Sequence, residues 1–277
     1  SAVAHAAFSR SLVSLEACHL QGKKSSIRLI GWLPMRSSIH CNSVSSCSAV
    51  NPTAPSTPRA QPLVWNRGMG FITTPPGALP SSNAPMLAAM LAGLPCDVTD
   101  LGIIPDDLDA MVAAFESAAQ ADIIVSTGGA SVGDHDLVRP AFAKAGGALD
   151  FWKIRMRPGK PLMAGTLGDA LFLGLPGNPV SAFVTGTLFM APLVRHLGGA
   201  ANPLPPTADA ILASPLPATG DRDDYLRAWR GADGVVSVTS QDSAATAAMA
   251  MADCLILRPA ASPLASPGDR VTILPLT

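Results

Sequence analysis

Leu173-Gly174-Leu175-Pro176-Gly177-Asn178-Pro179-Val180-Ser181 joins an apolar strand end to a Pro/Gly turn and then to a helix start. Such a turn exposes the unpaired backbone N–H groups of the first helical residues, which suits an anion. Upstream, Arg157-Pro158-Gly159-Lys160-Pro161 reads as a second rigid turn, this one carrying a cation. Thr127-Gly128-Gly129-Ala130-Ser131-Val132-Gly133 is a third turn and also follows a strand-like run. Three turns at the ends of buried strands predict one anion-binding crevice on the rim of an α/β sheet.

The surrounding pattern agrees. Ser82 or Asn83 can cap a helix running to Leu91, and Cys96 to Leu101 reads as a strand. Leu108, Met111, Val112 and Phe115 share one face of a helix expected over 107–119. Ala121 to Ser126 is a short β-branched run suited to a central parallel strand. A helix near 137–145, strands near 149–156 and 170–174, and a helix from Val180 to Leu197 complete the alternation. The expectation for 78–202 is a three-layer α/β/α domain with a mainly parallel sheet. Beyond the Pro203–Thr207 linker come short strands near 209–214, 223–230, 234–239, 253–258 and 270–275, with one helix candidate at 243–250. These predict a small, barrel-like all-β domain over 206–277.

Residues 1–77 differ. Thirteen of the first sixty residues are serine, four prolines fall between Pro52 and Pro62, and Glu16 is the only acid before Asp97. No apolar period is sustained, so a poorly structured, largely irregular extension is expected. A net charge of -1 and 5% aromatic residues argue against a nucleic-acid or membrane surface. No run reaches the expected length of a membrane span. The five cysteines fit no common zinc spacing and read as free thiols in a cytoplasmic protein.

Lys153, Arg155 and Arg157 alternate with apolar residues, so one strand would carry all three cations on one face, with Lys160 just beyond. A solvated face is the plain alternative, but the neighbouring Pro/Gly turn favours an oxyanion site. Asp106, Asp134 and Asp136 follow candidate strand ends and could ligate Mg²⁺, whereas Asp107 suits a helix's first turn. His135 reads as a turn residue. Gly128-Gly129 lacks the spacing of a dinucleotide fingerprint, and Ser131 and Ser181 read as hydrogen-bond donors or caps rather than nucleophiles.

Five ordered stretches resemble the molybdopterin molybdenumtransferase family, which includes the carboxy-terminal domain of gephyrin. They are Ser82–Leu87, Asp100–Asp107, Ser126–Asp136, Phe151–Lys153 with Arg157–Pro161, and Gly174–Ser181. The resemblance covers about residues 78–277. It implies insertion of molybdate into adenylylated molybdopterin with Mg²⁺-assisted loss of AMP. It also implies a homodimer and a molybdopterin adenylyltransferase as candidate partner. By motif position, Asp106 and Asp136 would hold metal or orient substrate, and Lys153 and Lys160 would neutralise molybdate or pyrophosphate. Gly128, Gly129, Ser131, Gly133, Pro158, Gly159, Pro176, Gly177, Asn178, Pro179 and Ser181 would shape the binding crevice. The family's first strand of this domain ends in a Thr-Gly-Asp-Glu-Leu motif, but here Met69 to Gly77 stands in its place without the acid. The family's two amino-terminal domains have no counterpart in residues 1–70. The sheet would lack a central strand unless residues 68–73 supply one. A catalytically impaired module that binds molybdopterin or molybdate is the alternative function.

Overall fold

A computed structural model describes residues 25–32, 64–66, 69–72, 81–129, 137–238, 241 and 246–276. Strand β1 (Ser25–Trp32) lies inside the stretch expected to be irregular, and it is a central strand of the large sheet. It runs parallel between β4 (Cys96–Ile104) and β5 (Ile123–Thr127). The candidate segment 68–73 does not take this place. Its described part, β3 (Met69–Ile72), pairs instead with β2 (Val64–Asn66) in a separate hairpin.

The reason lies in side-chain alternation. Ile27 and Leu29 point into one core layer and Ile30 into the other, all at most 2% exposed. A strand covered on both faces reads as a near-continuous apolar run, and eight residues are too few to lift it above a serine-rich background. Its entry is tied down as well. The Ser26 backbone N–H and hydroxyl both donate to Asp122 Oδ2, at 2.5 and 2.9 Å, and Asp122 N–H donates to the Ser26 carbonyl at 3.0 Å.

The sheet continues through β9 (Ala170–Leu175), parallel to β5, then antiparallel through β8 (Met163–Leu167) to β6 (Ala148–Phe151). It is therefore mixed; its parallel half carries the Gly128 and Pro176 turns, while the Arg157–Pro161 turn precedes the antiparallel β8. Helix α1 (Asn83–Leu91) packs on one face beside a long helix spanning 179–197. That helix comprises α4 (Pro179–Thr185), a π-helical turn (Gly186–Met190) and α5 (Ala191–Leu197). Contrary to the sequence expectation, it is long and apolar enough to cross a membrane, although 67% of its apolar window is buried in the protein. Helices α2 (Leu108–Ala118) and α3 (Val138–Lys144) cover the other face. There Phe115, Phe142 and Phe172 meet with ring centroids 4.2–5.6 Å apart.

The strand expected over 149–156 is broken. The chain leaves the sheet after Phe151, and Met156–Arg157 forms β7, which pairs with a second sheet. That sheet has the order β10 (Ala208–Ile211), β14 (Arg270–Pro275), β13 (Cys254–Arg258), β11 (Asp223–Gly231), β12 (Gly234–Ser237). A single backbone bridge joins Leu212 to Val235, so the first and last strands approach each other. Short helix α6 (Thr246–Ala250) precedes β13. Alternation again sorts the side chains. Cys254, Ile256, Val271 and Ile273 fill the sheet's own core, while Leu255 and Leu274 enter the core shared with α1 and the long helix. The two domains are thus packed as one body.

Ile27 is fully buried in a layer that includes Leu87, Ile123 and Val184. Ile27→Ala should lower unfolding free energy by about 2–5 kcal/mol, through lost transfer energy and an unfilled cavity. Urea denaturation should show a lower midpoint with an unchanged slope; a loss below about 1 kcal/mol would reject the central placement of β1.

Candidate functional site

All four parallel strands end on the same rim. Beyond β5, Gly128 and Gly129 adopt φ values of 91° and 64°, which glycine tolerates far better than other residues. Gly128 N–H donates to the Leu175 carbonyl at 3.2 Å, joining this turn to the end of β9. A Cβ added at Gly177 would meet Gly128 Cα at 3.1 Å, so the first and third turns lie backbone to backbone. Asn178 caps α4, its Oδ1 accepting from Ser181 N–H at 3.2 Å, and Pro179 occupies the first turn, where its missing N–H costs no helical bond. Ser181 is buried, and its hydroxyl lies 3.4 Å from the same Asn178 oxygen, which supports a donor or capping role.

The Arg157–Pro161 turn folds against the same helix. Gly159 has φ 112°, and a Cβ there would come within 2.5 Å of Thr185 Cγ2. Thr185 in turn donates to the Ser181 carbonyl at 2.7 Å. Arg157, Pro158, Gly159, Lys160 and Ser181 line a cleft of about 240 Å³. Arg222, Tyr225 and Gln241 of the second domain line it as well. Sequence reasoning missed these three. The available signal was the Asp221-Arg222-Asp223-Asp224-Tyr225 run, which holds the chain's one tyrosine.

The predicted cation stripe does not form. Arg155 donates through Nε and Nη2 to the Asp221 carbonyl, and Arg157 pairs with the buried carboxylate of Asp224. Both arginines hold the second domain against the first. Lys153 lies over the Trp152 ring, 3.7 Å from its centroid, with the Arg139 guanidinium 4.2 Å from the same ring. Lys153 does not line the cleft. Lys160 does, and it is exposed, with no ion pair among the described residues.

Asp106 is exposed beyond the end of β4, the edge strand. The strand before it, β4, is two strand spacings from β5, roughly 10 Å. Asp107 is the N-cap of α2, accepting from Ala110 N–H at 2.9 Å, as its sequence position suggested. Ser131, Gly133, Asp134, His135 and Asp136 lie outside the described residues. No cluster of three His, Cys, Asp or Glu residues occurs among the described ones. Cys254 is buried in the second sheet's own core. Burial, reinforced by Asp253, pushes its thiol up to about 12.

Residues 64–196 match a family model described as "Probable molybdopterin binding domain", and 209–276 match "MoeA C-terminal region (domain IV)". The chain is 36% identical over 206 residues to a molybdopterin molybdenumtransferase of Haemophilus influenzae, covering 72% of this chain and 51% of the relative. It is also 36% identical over 156 residues to one from a Nostoc species, covering 54% and 36%. The chain thus spans about half the length or less of these relatives. Among solved structures, a molybdopterin biosynthesis moeA protein from Pyrococcus horikoshii matches with TM-score 0.67 at 21% identity, covering 92% of this chain and 55% of that one. A molybdenum cofactor biosynthesis protein from Pyrococcus furiosus matches at 0.59 and 17%, covering 91% and 68%. At those identities the structural likeness concerns fold.

Two outcomes follow from this geometry. Burial, with the charge of Asp223 adding to it, raises the Tyr225 phenol above its ordinary value of about 10. Because the folded state favours the neutral phenol, this contribution to stability is whole below about pH 10 and is lost as pH rises through the native value. Phenolate absorbance reports this single tyrosine directly; a midpoint at or below 10 in folded protein would contradict its burial. Separately, Asp107→Ala should cost about 0.5–2 kcal/mol of stability through loss of the cap. Asp106→Asn, at an exposed position, should stay within about 0.5 kcal/mol in the same thermal melts.

Proposed function

Because the chain belongs to the molybdopterin molybdenumtransferase family, we propose that it works in molybdenum cofactor biosynthesis, transferring molybdenum from molybdate to adenylylated molybdopterin with release of AMP. The observation that supports this reading is the two-domain cleft, which Lys160, Ser181, Arg222 and Tyr225 all line. Molybdate and the phosphoanhydride are both compact anions. Lys160 supplies a mobile point charge on a turn held by Gly159, and Arg222 supplies a planar fork that can take two oxygens. Charge developing on phosphate oxygens during loss of AMP is stabilised most by donors already in place. A phenol that stays protonated at neutral pH, as Tyr225 does, donates to such an oxygen without adding negative charge.

Mg²⁺, which the family resemblance implies, takes oxygen ligands from several carboxylates, phosphates or waters. Of the expected pair, only Asp106 falls among the described residues, and no group of three His, Cys, Asp or Glu residues forms around it there. The described residues do not by themselves make a Mg²⁺ site, and the roles given to Lys160, Arg222 and Tyr225 stand without one. With this reading go a homodimer, handover from a molybdopterin adenylyltransferase and a cytoplasmic setting.

The second reading is a module that binds molybdopterin or molybdate without turnover. It is favoured by one feature: β1 ends on Ile30-Gly31-Trp32, and no acid occurs between Glu16 and Asp97. Incubation with adenylylated molybdopterin, molybdate and Mg²⁺ separates the two readings. AMP release above background supports the transferase, binding without release supports the module, and undetectable binding rejects both. Lys160→Ala should weaken binding of the adenylylated pterin about 10- to 100-fold by titration calorimetry, the scale of a lost charge-assisted contact. Its thermal midpoint should barely move, because the side chain is exposed.

A further inference from the structure

Asn83 does not do what an asparagine at a helix start usually does. It sits inside α1, not at the cap, and Ser82 makes no side-chain cap either. Its side chain is turned inward and the residue is 7% exposed. An amide buried in this way is costly unless its polar atoms are used. Its Nδ2 is used, donating to the Gly177 carbonyl at 2.8 Å. That carbonyl belongs to the turn between β9 and the long helix. Its Oδ1 is buried and has no hydrogen-bond partner among the described residues. A side chain held at that cost, with a single bond 94 residues away in sequence, marks a position where the bond itself matters.

The packing shows what it holds. Helix α1 lies alongside the long helix in parallel, so both amino-terminal ends meet at the strand-end rim. Asn83 is beside Gly177 at that end, and Leu87 and Met90 are beside Gly186 further along. The close approach at Gly186, where a Cβ would meet Leu87 Cδ2 at 3.1 Å, fixes the distance between the helices. The Asn83 bond then fixes the Pro176-Gly177-Asn178 turn against α1. Gly177 presses on Gly128 in turn, and Asn178 caps α4 through Ser181 N–H. One amide thus reaches both glycine turns and the start of the helix that lines the cleft.

We propose that Asn83 is a positioning residue: through its bond to the Gly177 carbonyl it holds the β9–α4 turn, and with it the Gly128 turn and the Ser181 helix start, in the geometry that receives substrate. It touches no substrate itself. Its consequence for substrate rests on the molybdenum-transfer reading; its effect on the turns does not.

The test uses Asn83→Asp, which keeps the shape but replaces the donor with an acceptor facing the carbonyl. Asn83→Ser, too short to bridge the gap and without opposing charge, serves if the first variant does not fold. Amide hydrogen exchange in the full chain should rise at least 10-fold at Gly128 and Ser181, with Leu255 and Ile256 in the second sheet unchanged. Exchange unchanged at both turns overturns the proposal, and so does a uniform rise across both sheets, which marks a purely global stability role. In a parallel titration with adenylylated molybdopterin, the variant should bind at least 10-fold more weakly than wild type; equal binding would also overturn the positioning role. If wild-type protein binds no pterin, the transfer reading fails, and the exchange measurement still decides whether Asn83 holds the turns.

Discussion

Strand β4 reaches β5 only through β1, so the pairing of Ser25–Trp32 on both its edges is the constraint on which the large sheet depends. Parallel neighbours do not pair across a gap of two spacings, and without β1 each would present an open edge. The strand meets this demand with little sequence. Ile27, Leu29 and Ile30 divide between the two core layers, and the Ser26–Asp122 bonds fix the register at its entry. Asp106 on the β4 side is held relative to the Gly128 and Pro176 turns only because this strand sets the spacing.

The second constraint is the union of the domains. Leu255 and Leu274 enter the core beneath α1 and the long helix, and β7 adds two residues of the first domain to the second sheet. Around this seam Arg155 holds a carbonyl and Arg157 a buried carboxylate. Removing Arg157 would leave the Asp224 carboxylate buried and uncompensated, so this contact specifies how the domains dock. The cleft depends on that seam, because residues of both domains line it.

Four cations in eight residues look alike in sequence, and the fold separates them into three uses. Arg155 and Arg157 serve the seam, Lys153 rests on Trp152, and Lys160 lines the cleft, where Arg157 joins it. A further cation in the cleft comes from elsewhere in the chain: Arg222 of the second domain. A charge's use depends on which acceptor the fold brings within about 4 Å, and sequence spacing alone does not contain that distance.

Local chemistry was legible in the residues themselves. The glycine turns, the Asn178 and Asp107 caps, the helices of the α/β half and the five short strands of the second domain follow from steric allowance, capping and period, which act over a few neighbours. The turn that carries Lys160 and the helix start at Ser181 were legible for the same reason, since both announce themselves within five residues. Three things were decided only by tertiary structure. Ser25–Trp32 became a strand because β4 and β5 offered two open edges, a fact invisible to its own composition. The run 149–156 broke because its last residue pairs with β11 rather than with β8. Arg222, Tyr225 and Asn83 gained their places from chain segments tens of residues away, brought close by burial of apolar surface that no local pattern encodes.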